Sequence, residues 1–334
     1  MTRRCFVLAD QIEFAQLSQD FNPIHVDPIA SRRLIYGQPV VHGVNALVWA
    51  LSQFALQQPG PVQLVSLICS FIKPVFLEEE LSVQIDTLAQ PKVVLRLRQF
   101  GRLVAKVTLI CTPDLDPDRS TREFQGDPPT EHFTIIPQPD QVSEAALPGL
   151  KGEFALAFDT SKARALFSPA LFAAFGSQAV AEIIALTKVV GVHAPGLNSL
   201  LTEIQIKLAT VAGSPNQVRY QTQEYDPRFH QLIVRCNTGS FDATQKAFYR
   251  PSAVVQAPYE ILKRSVSDSE FIGQRALVIG GSRGLGEVTA KYLAAGSAQV
   301  LLTYSRGATE AAAIVTNIKS QGGQAQATDF DLNF

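Results

Sequence analysis

The sequence predicts an α+β protein in which a long apolar helix is wrapped by an antiparallel sheet, in two copies, followed by a truncated α/β segment. Three observations lead to this prediction. An apolar helix followed by strand-like runs occupies residues 43–111, the same order recurs at 171–249, and strands alternate with helices from residue 275 onward. A helix followed by strands with short turns favours an antiparallel sheet, whereas β-α-β alternation favours a parallel one.

Residues 1–112 contain the first copy of this pattern. A short helix begins within residues 14–17, and Asp27 precedes Pro28 in the order of an N-cap and a first helical residue. The long helix that follows carries apolar residues at helical spacing and ends at Pro59-Gly60. Strand-like runs then complete the unit, at residues 62–72, 81–88, 93–100 and 104–111.

The second copy lies between two stretches that predict linkers, residues 113–153 and 253–270. The first is rich in Pro, Asp and Thr. Between them, an apolar helix at 171–190 is followed by strand-like runs ending near residue 249. Pro59 and Pro195, which each precede a glycine after the apolar helix, are 136 residues apart (195 − 59). We therefore expect residues 154–252 to duplicate the first unit.

Composition favours large packed units and excludes several classes of protein. Hydrophobic residues make up 46% and charged residues 18% of the 334 residues, so extensive cores can be buried. The formal net charge of −1 gives no reason to expect nucleic acid or an anionic membrane as partner. No run approaches the ~18–20 apolar residues of a membrane span, and the N-terminus lacks the apolar stretch of a signal peptide.

Cysteine usage points to a reduced, cytoplasmic setting. Cys5, Cys69, Cys111 and Cys236 are far apart and form no CxxC pair. Both metal-ligand spacing and a dense disulfide framework are missing from this pattern, so we expect no metal site.

Residues 14–27, FAQLSQDFNPIHVD, carry the most specific chemical pattern in the chain. They place the carboxylate of Asp20 and the imidazole of His25 five residues apart across a Phe-Asn-Pro turn. Pro23 stiffens this turn, and Asn22 can fix it by local hydrogen bonds. Such a pair can hold one water and move two protons, which is the work required to add water across an enoyl thioester.

Residues 18–27, together with Val41-His42-Gly43 and the FIKPVF run at 71–76, resemble the MaoC-like, (R)-specific enoyl-CoA hydratase family of hotdog folds. The resemblance covers about the first third of the chain. Its ten-residue core, SQDFNPIHVD, is specific. Near this core, Asp27 is predicted to cap a helix, and His42 is predicted to serve the turn rather than the chemistry.

The resemblance implies a set of site residues. Asp20 and His25 become a catalytic dyad that Asn22 supports, and either member of the dyad can be the acid or the base. The oxyanion donor falls on the backbone N–H of Gly43, at the start of the central helix. A helix N-terminus suits the negative charge that develops on a thioester oxygen.

The second copy lacks this pair. A shift of 136 residues carries Asp20 to Leu156 and His25 to Ser161, and residues 154–252 contain no Asp-x4-His. Resemblance to double-hotdog hydratases, in which one half is catalytic and the other shapes the acyl pocket, implies a double hotdog with a degenerate second half. The catalytic half comes first here, unlike in the eukaryotic arrangement.

A glycine-rich turn after the strand at 275–279 opens a helix near residue 284, as binding of a dinucleotide pyrophosphate requires. The turn resembles that of the short-chain dehydrogenase/reductase family, which implies cofactor contacts from Gly280, Ser282, Arg283, Gly284, Leu285 and Gly286. Arg283 and Arg306 favour a 2′-phosphate, hence NADP(H) over NAD(H). That family also requires a Tyr-x3-Lys pair after the third strand, and the one such spacing here, Tyr259 to Lys263, precedes the turn. We expect no reductase activity from the incomplete Rossmann segment at 271–334, and NADP(H) binding only by a complete domain.

Residues and resemblances together predict a (3R)-specific hydratase/dehydratase of trans-2-enoyl and 3-hydroxyacyl thioesters, in fatty-acid or polyketide-type metabolism. The expected partner is an acyl-CoA or acyl-carrier-protein thioester, no cofactor is needed for hydration, and a homo-oligomer is compatible with the sequence. Two other classes stay open. One is an acyl-thioesterase; the other is a non-catalytic acyl-binding or docking module of a multienzyme.

Overall fold

The computed structural model describes residues 2–87, 91–114, 124, 126, 137–210, 216–250, 252 and 254–330. The chain forms two compact units, Met1–Pro251 and Ser252–Phe334, here called unit 1 and unit 2. Much of the predicted linker at 113–153 lies outside the described residues.

The first half of unit 1 contains a long buried helix followed by strands. Its N-terminal elements are β1 (Thr2–Cys5), α1 (Leu8–Ser18), α2 (Pro23–Val26) and a 3-10 turn (Ser31–Arg33). The long helix is α3 (Gly43–Ala55), which is apolar on nearly every side and is therefore buried on nearly every side. The strands are β2 (Val62–Phe71), β3 (Glu80–Thr87), β4 (Lys92–Gln99) and β5 (Arg102–Pro113).

The second half repeats this order with more helical segments. It comprises a 3-10 turn (Glu144–Ala146), β6 (Lys151–Ala155), α4 (Thr160–Leu166), α5 (Pro169–Phe175) and α6 (Ser177–Lys188). A π-helical turn (Val189–His193) continues α6. The strands that follow are β7 (Ser199–Leu208), β8 (Gln217–Asp226), β9 (Gln231–Asn237) and β10 (Phe241–Tyr249).

The strands of unit 1 form one antiparallel sheet in the order β1-β3-β4-β5-β2-β7-β10-β9-β8-β6. The run β3-β4-β5-β2 on one side is mirrored by β8-β9-β10-β7 on the other. The two halves join where β2 pairs with β7, with Ser66 opposite Lys207 and Ser70 opposite Glu203. The order of strands in the sheet therefore follows the recurrence that the sequence indicates.

A single hydrophobic core runs through both halves of unit 1. Leu47 and Leu51 of α3 and Ile183 and Ile184 of α6 are all buried in it, as is Trp49. The helix α3 packs directly against α5 and α6. The start of α3 and the end of α6 lie close together where the two halves meet, since Gly43 and Thr187 line the same cavity.

Two helices differ from the sequence prediction. The first helix begins at Leu8 rather than within residues 14–17, because the side chain of Asp10 accepts a hydrogen bond from the Val7 N–H and closes the first turn. The apolar helix predicted at 171–190 is broken at Gly176, whose φ of 76° and ψ of 153° lie in a region that glycine tolerates best.

The predicted linkers are folded in part. The strand β6 begins within 113–153 and pairs with β8, and Leu147 is fully buried. Within 253–270, α7 (Tyr259–Lys263) belongs to unit 2, and its Tyr259 is 1% exposed. Both segments are anchored by a few scattered apolar side chains, such as Leu147 with Leu150 and Tyr259 with Val266, which form no periodic pattern in the sequence.

Unit 2 is a small parallel α/β unit. Its sheet has the order β11-β12-β13, formed by β11 (Arg275–Val278), β12 (Gln299–Tyr304) and β13 (Gln324–Asp329). The connecting helices are α8 (Gly284–Ala295) and α9 (Ala308–Ser320). Parallel pairing along β12 agrees with the predicted α/β alternation.

Within the described residues, no single helix has the length and apolar composition needed to cross a membrane. The segments Pro169–Phe175 and Ser177–His193 meet the test only as a pair, and that pair is bent by 105°. Its residues Val180, Ile183 and Val190 are buried in the core of unit 1.

Candidate active site

The turn between α1 and α2 carries the two residues of the predicted dyad. Gln19 ends α1 in the left-handed conformation, with a φ of 62°. Asn22 then caps α2, because its side-chain oxygen accepts a hydrogen bond from the N–H two residues later at 3.3 Å, and Pro23 fills the first helical position. Asp20 precedes this cap and His25 follows it, so both side chains line one cavity.

Both oxygens of the Asp20 carboxylate accept a hydrogen bond. The backbone N–H of Asn22 donates to Oδ1 at 3.1 Å, and the hydroxyl of Thr187 donates to Oδ2 at 2.7 Å. The residue is 1% exposed. Burial raises the pKa of Asp20 above its ordinary value of 3.8, and this outweighs the opposing effects of His25 and the Thr187 hydroxyl.

The ring of His25 is fixed in one orientation. Its Nδ1 lies 2.8 Å from the carbonyl oxygen of Val40, so Nδ1 carries the hydrogen and donates it. Burial lowers the pKa of His25 to about 3, with a further contribution from His42, whose ring stacks on it at a centroid distance of 3.9 Å. His25 is therefore neutral near pH 7, and its Nε2 carries the free lone pair.

His42 and Asp27 hold the local backbone. The ring of His42 is fully buried, with Nδ1 2.9 Å from Gln11 Oε1 and Nε2 3.0 Å from the carbonyl oxygen of Asp20. Burial lowers the pKa of His42 to about 3. Asp27 accepts hydrogen bonds from the N–H groups of Ile29 and Ala30 at 2.8 and 2.9 Å, as its predicted capping role requires, but a 3-10 turn follows it instead of an α-helix.

The second half of unit 1 completes the site. The side-chain amide of Asn22 donates to the carbonyl oxygens of Gly191 and Gly196 at 3.0 and 3.1 Å, and Ser199 Oγ lies 3.3 Å from it. Gly191 lies against the dyad as well, since a Cβ added there would overlap the carboxylate of Asp20. These contacts join residues about 170 positions apart in sequence, and no local motif marks Thr187, Gly191 or Ser199. The predicted duplication is the one sequence signal that places the second central helix beside the first.

Gly43 lies on the same cavity, at the first position of α3. Its N–H has no partner within the helix, because the first N–H groups of a helix have none. A Cβ at this position would lie 2.9 Å from Cε1 of Phe71, so the FIKPVF strand packs directly on the helix start. The cavity has a volume of about 270 Å³ and is lined mainly by apolar residues of both halves, including Val40, Ala46, Phe71, Val190, Leu200 and Phe248.

The donor atoms of Asp20, His25 and His42 lie within 4.8 Å of one another, a spacing that a metal ion can bridge. The existing hydrogen bonds leave few of these atoms available. Both ring nitrogens of His42 face oxygen partners, and Nδ1 of His25 faces another. Asp20 and His25 Nε2 remain, fewer than the three or four protein ligands typical of zinc sites. The cluster is better suited to proton transfer.

The glycine-rich turn of unit 2 has the backbone that close approach to a phosphate requires. Gly280 and Gly284 have φ values of 72° and 55°. A Cβ on Gly286 would overlap the carbonyl oxygen of Gly280, and one on Gly281 would lie 2.6 Å from Cβ of Leu302. The turn is tied to β12, because Gly280 N–H donates to the Thr303 hydroxyl at 3.1 Å.

The other predicted nucleotide contacts surround this turn. Ser282 is buried at 7% exposure, and Leu285 is 87% exposed. Arg283 immediately precedes α8, and Arg306 lies in the exposed segment that follows β12. Tyr259 is enclosed in the hydrophobic core of unit 2. A fully enclosed tyrosine cannot reach a substrate, so Tyr259 and Lys263 do not form the Tyr-x3-Lys pair of that family.

Two family models match the chain. Residues 3–95 match the MaoC like domain, and residues 274–333 match the short chain dehydrogenase family. The chain has a MaoC-like domain at its N-terminus. An (R)-specific enoyl-CoA hydratase from Aeromonas caviae is 32% identical to it over 85 residues, which are 25% of this chain and 63% of that protein. The chain thus spans less than two thirds of that curated relative.

Solved structures resemble both ends of the chain. A MaoC-like dehydratase is 14% identical, with 74% of this chain and 95% of that chain covered and a TM-score of 0.47. A dehydrogenase/reductase from Sinorhizobium meliloti 1021 is 42% identical, with 22% of this chain and 27% of that chain covered and a TM-score of 0.19. The MaoC-like domain and the short-chain dehydrogenase segment predicted from sequence motifs are confirmed by the family matches.

Proposed function

We propose that unit 1 catalyses the (3R)-specific hydration of trans-2-enoyl thioesters and the reverse dehydration of 3-hydroxyacyl thioesters. The observation that carries this proposal is the pairing of a buried carboxyl group, Asp20, with a neutral imidazole, His25, on one apolar cavity. The MaoC-like domain and the (R)-specific enoyl-CoA hydratase relative support the reaction class. The thioester is borne by CoA or acyl carrier protein, in fatty-acid or polyketide-type metabolism.

The fold of unit 1 is, in this proposal, a double hotdog. Two central helices, α3 and α6, and the mirrored strand orders of the two halves support it. Residues 1–112 form the catalytic copy and residues 154–252 the degenerate one. The shift of 136 residues does not follow the helices, because Leu156 and Ser161 lie before and within α4; the turn between α4 and α5, which corresponds to the turn of the dyad, consists of Phe167 and Ser168. The second copy then serves the first by supplying Thr187 and Gly191 to its carboxyl group.

The proton chemistry follows from the hydrogen bonds of the dyad. Hydration needs a base for the attacking water and an acid for C2. The Nε2 of His25 accepts a proton from water as the water oxygen bonds to C3 and the C2–C3 π electrons move to C2. Asp20, whose pKa burial raises, donates its proton to C2. Transfer of one proton from His25 to Asp20 then restores the pair.

The thioester oxygen carries negative charge while C2 awaits its proton. In our proposal, the N–H of Gly43 donates to this oxygen, and the positive end of the α3 dipole adds to the stabilisation. An oxyanion donor of this kind typically contributes ~10²–10³-fold in rate. Asn22 takes no part in proton transfer and holds the turn against the second half.

The test is to mix the purified chain with a short trans-2-enoyl-CoA and follow the absorbance of the conjugated enoyl group. Loss of this absorbance without release of free thiol is the expected result, and chiral analysis of the product should give the (3R)-hydroxyacyl thioester. Release of thiol would identify a thioesterase instead. A stable absorbance with saturable binding would identify an acyl-binding or docking module.

For unit 2 we propose a preference for NADP(H) over NAD(H). The short chain dehydrogenase match at 274–333 and the close glycine contacts of the turn support nucleotide binding, and Arg283 and Arg306 support the 2′-phosphate. Fluorescence titrations with NADPH and with NADH test this preference, and equal or tighter binding of NADH would contradict it.

A further inference from the structure

Arg250 is a buried arginine at the end of the second half of unit 1. It directly follows β10 and is 6% exposed. Its Nε donates to the carbonyl oxygen of Ser199 at 2.9 Å, and its Nη2 donates to that of Leu197 at 2.6 Å. Its backbone N–H donates to the carbonyl oxygen of Asn198 at 2.7 Å. Three consecutive carbonyl groups are thus held by one residue.

Burying this charge is costly. A buried cation loses its hydration, and backbone carbonyl dipoles return only part of that free energy. Desolvation accordingly lowers the pKa of Arg250 from its ordinary value, although an arginine stays charged. A glutamine or methionine at the same place would bury no charge, so packing alone does not explain an arginine here.

Residues 197–199, whose carbonyl groups Arg250 binds, also contact the side chain of Asn22. The side-chain amide of Asn22 lies 3.4 Å from the Leu197 carbonyl oxygen and 3.3 Å from Ser199 Oγ. The backbone of Asn22 contacts both members of the dyad, since its N–H donates to Asp20 Oδ1 and its carbonyl accepts from His25 N–H. A continuous set of hydrogen bonds therefore runs from Arg250 through residues 197–199 to the dyad.

We propose that Arg250 is a positioning residue for the dyad: it fixes residues 197–199, against which the side chain of Asn22 holds the Asp20–His25 turn. This inference rests on the proposed hydratase function. Arg250 is separate from the chemistry itself, since it does not line the cavity.

The positive charge of Arg250 also acts on the titration of His25, together with the other groups around that ring. The ring of His42 stacks on that of His25, and Asp20, Tyr36 and Lys73 line the same cavity. A nearby cation disfavours a second positive charge, so Arg250 lowers the pKa of His25 and keeps its Nε2 available as a base. Asp20 acts in the opposite direction.

The experiment compares Arg250→Gln, Arg250→Lys and a matched control, Arg235→Gln, in the full chain. Arg235 is an exposed arginine on β9. Arg250→Gln removes both the paired guanidinium donors and the positive charge, so kcat should fall by about tenfold or more with KM little changed. The acid limb of its pH profile should also move to higher pH, because the pKa of His25 rises. Arg250→Lys keeps the charge but loses the paired geometry, so kcat should fall while the acid limb stays in place.

The outcomes separate this inference from the proposed function. If the wild-type chain does not hydrate enoyl-CoA, the proposed function fails, and the titration of His25 followed by NMR in wild type and Arg250→Gln still tests the charge effect. If the wild type is active and both Arg250 variants match the Arg235→Gln control in kcat and pH profile, the inference is overturned. Should Arg250→Gln not fold, unchanged kcat in Arg250→Lys overturns the positioning role.

Discussion

In the proposed mechanism, the chemistry of the site depends on which of Asp20 and His25 carries the transferable proton. The carboxyl group lies in a dry environment that favours its neutral form, while Asn22 and Thr187 donate to both of its oxygens. The imidazole has one nitrogen committed to Val40 and one free. Removing either group leaves the other without a partner for the second proton transfer.

Asp20→Asn and His25→Ala should therefore each lower turnover of a short enoyl-CoA by at least ~10²-fold. The first keeps the size of the side chain and removes its acid, and the second removes the base. Initial rates from enoyl absorbance give the effect, and far-ultraviolet circular dichroism checks that the fold persists. Near-wild-type turnover in either variant would rule out the proposed mechanism.

Thr187→Val tests the contribution of the second half to the carboxyl group. Valine has nearly the shape of threonine, but it lacks the hydroxyl that donates to Asp20 at 2.7 Å. Without that donor the carboxylate form loses support, so the pKa of Asp20 should rise further and kcat should fall by about tenfold. Thr244→Val, on the neighbouring strand β10 and away from the cavity, is the matched control. Equal kcat values in the two variants would show that Thr187 is dispensable.

At the scale of secondary-structure elements, the π-helical turn Val189–His193 decides how close the second half comes to the dyad. Single π turns within helices are frequent at functional sites. Here the turn places Gly191 against Asp20, with no room for a side chain. The carbonyl oxygen of Gly191 accepts a hydrogen bond from the side-chain amide of Asn22. The glycine is required by contact rather than by backbone conformation.

Gly191→Ala should displace the Asp20 carboxyl group and lower kcat by ~10²-fold, because small displacements of reacting groups are that costly. Gly60→Ala, at a glycine with open space around it, controls for the substitution and should leave activity unchanged. A crystal structure of Gly191→Ala would show the new position of Asp20. Full activity in this variant would mean that the contact is not maintained in solution.

The sequence predicts a helix or strand when the pattern lies within a few neighbouring residues. It does not predict contacts between residues that are far apart in the chain. The helix α3 and the strands β2 to β5 follow from apolar spacing within a few residues, and the SQDFNPIHVD motif places the dyad on one turn. The break at Gly176 interrupts an apolar run that reads as continuous. Thr187 contacts a residue 167 positions away, and Arg250 contacts one 51 positions away, so no short window of sequence contains both partners of either contact.

At the scale of the whole molecule, the site couples the stability of unit 1 to pH. His42 is fully buried, and burial lowers its pKa to about 3, whereas a histidine in an unfolded chain has a pKa near ~6.5. Between these values the unfolded state binds a proton that the folded state does not, so stability is present above the unfolded pKa and is lost as the pH falls. His25 acts in the same direction, whereas the raised pKa of Asp20 acts in the opposite one.

Lowering the pH from 7 to 5 should therefore cost unit 1 about 2 kcal/mol through His42 alone. Trp49 is the single tryptophan of the chain and is buried in α3, so its fluorescence in a urea titration reports the unfolding of unit 1 specifically. The urea midpoint of the wild type should fall over this range. His42→Gln should be less stable at pH 7, because it disturbs the contact with Gln11, yet lose less stability on acidification. Equal decreases in the urea midpoint of the wild type and of His42→Gln would show that His42 is not held neutral in the folded state. The stacked pair His25–His42 would then not keep the proposed base uncharged.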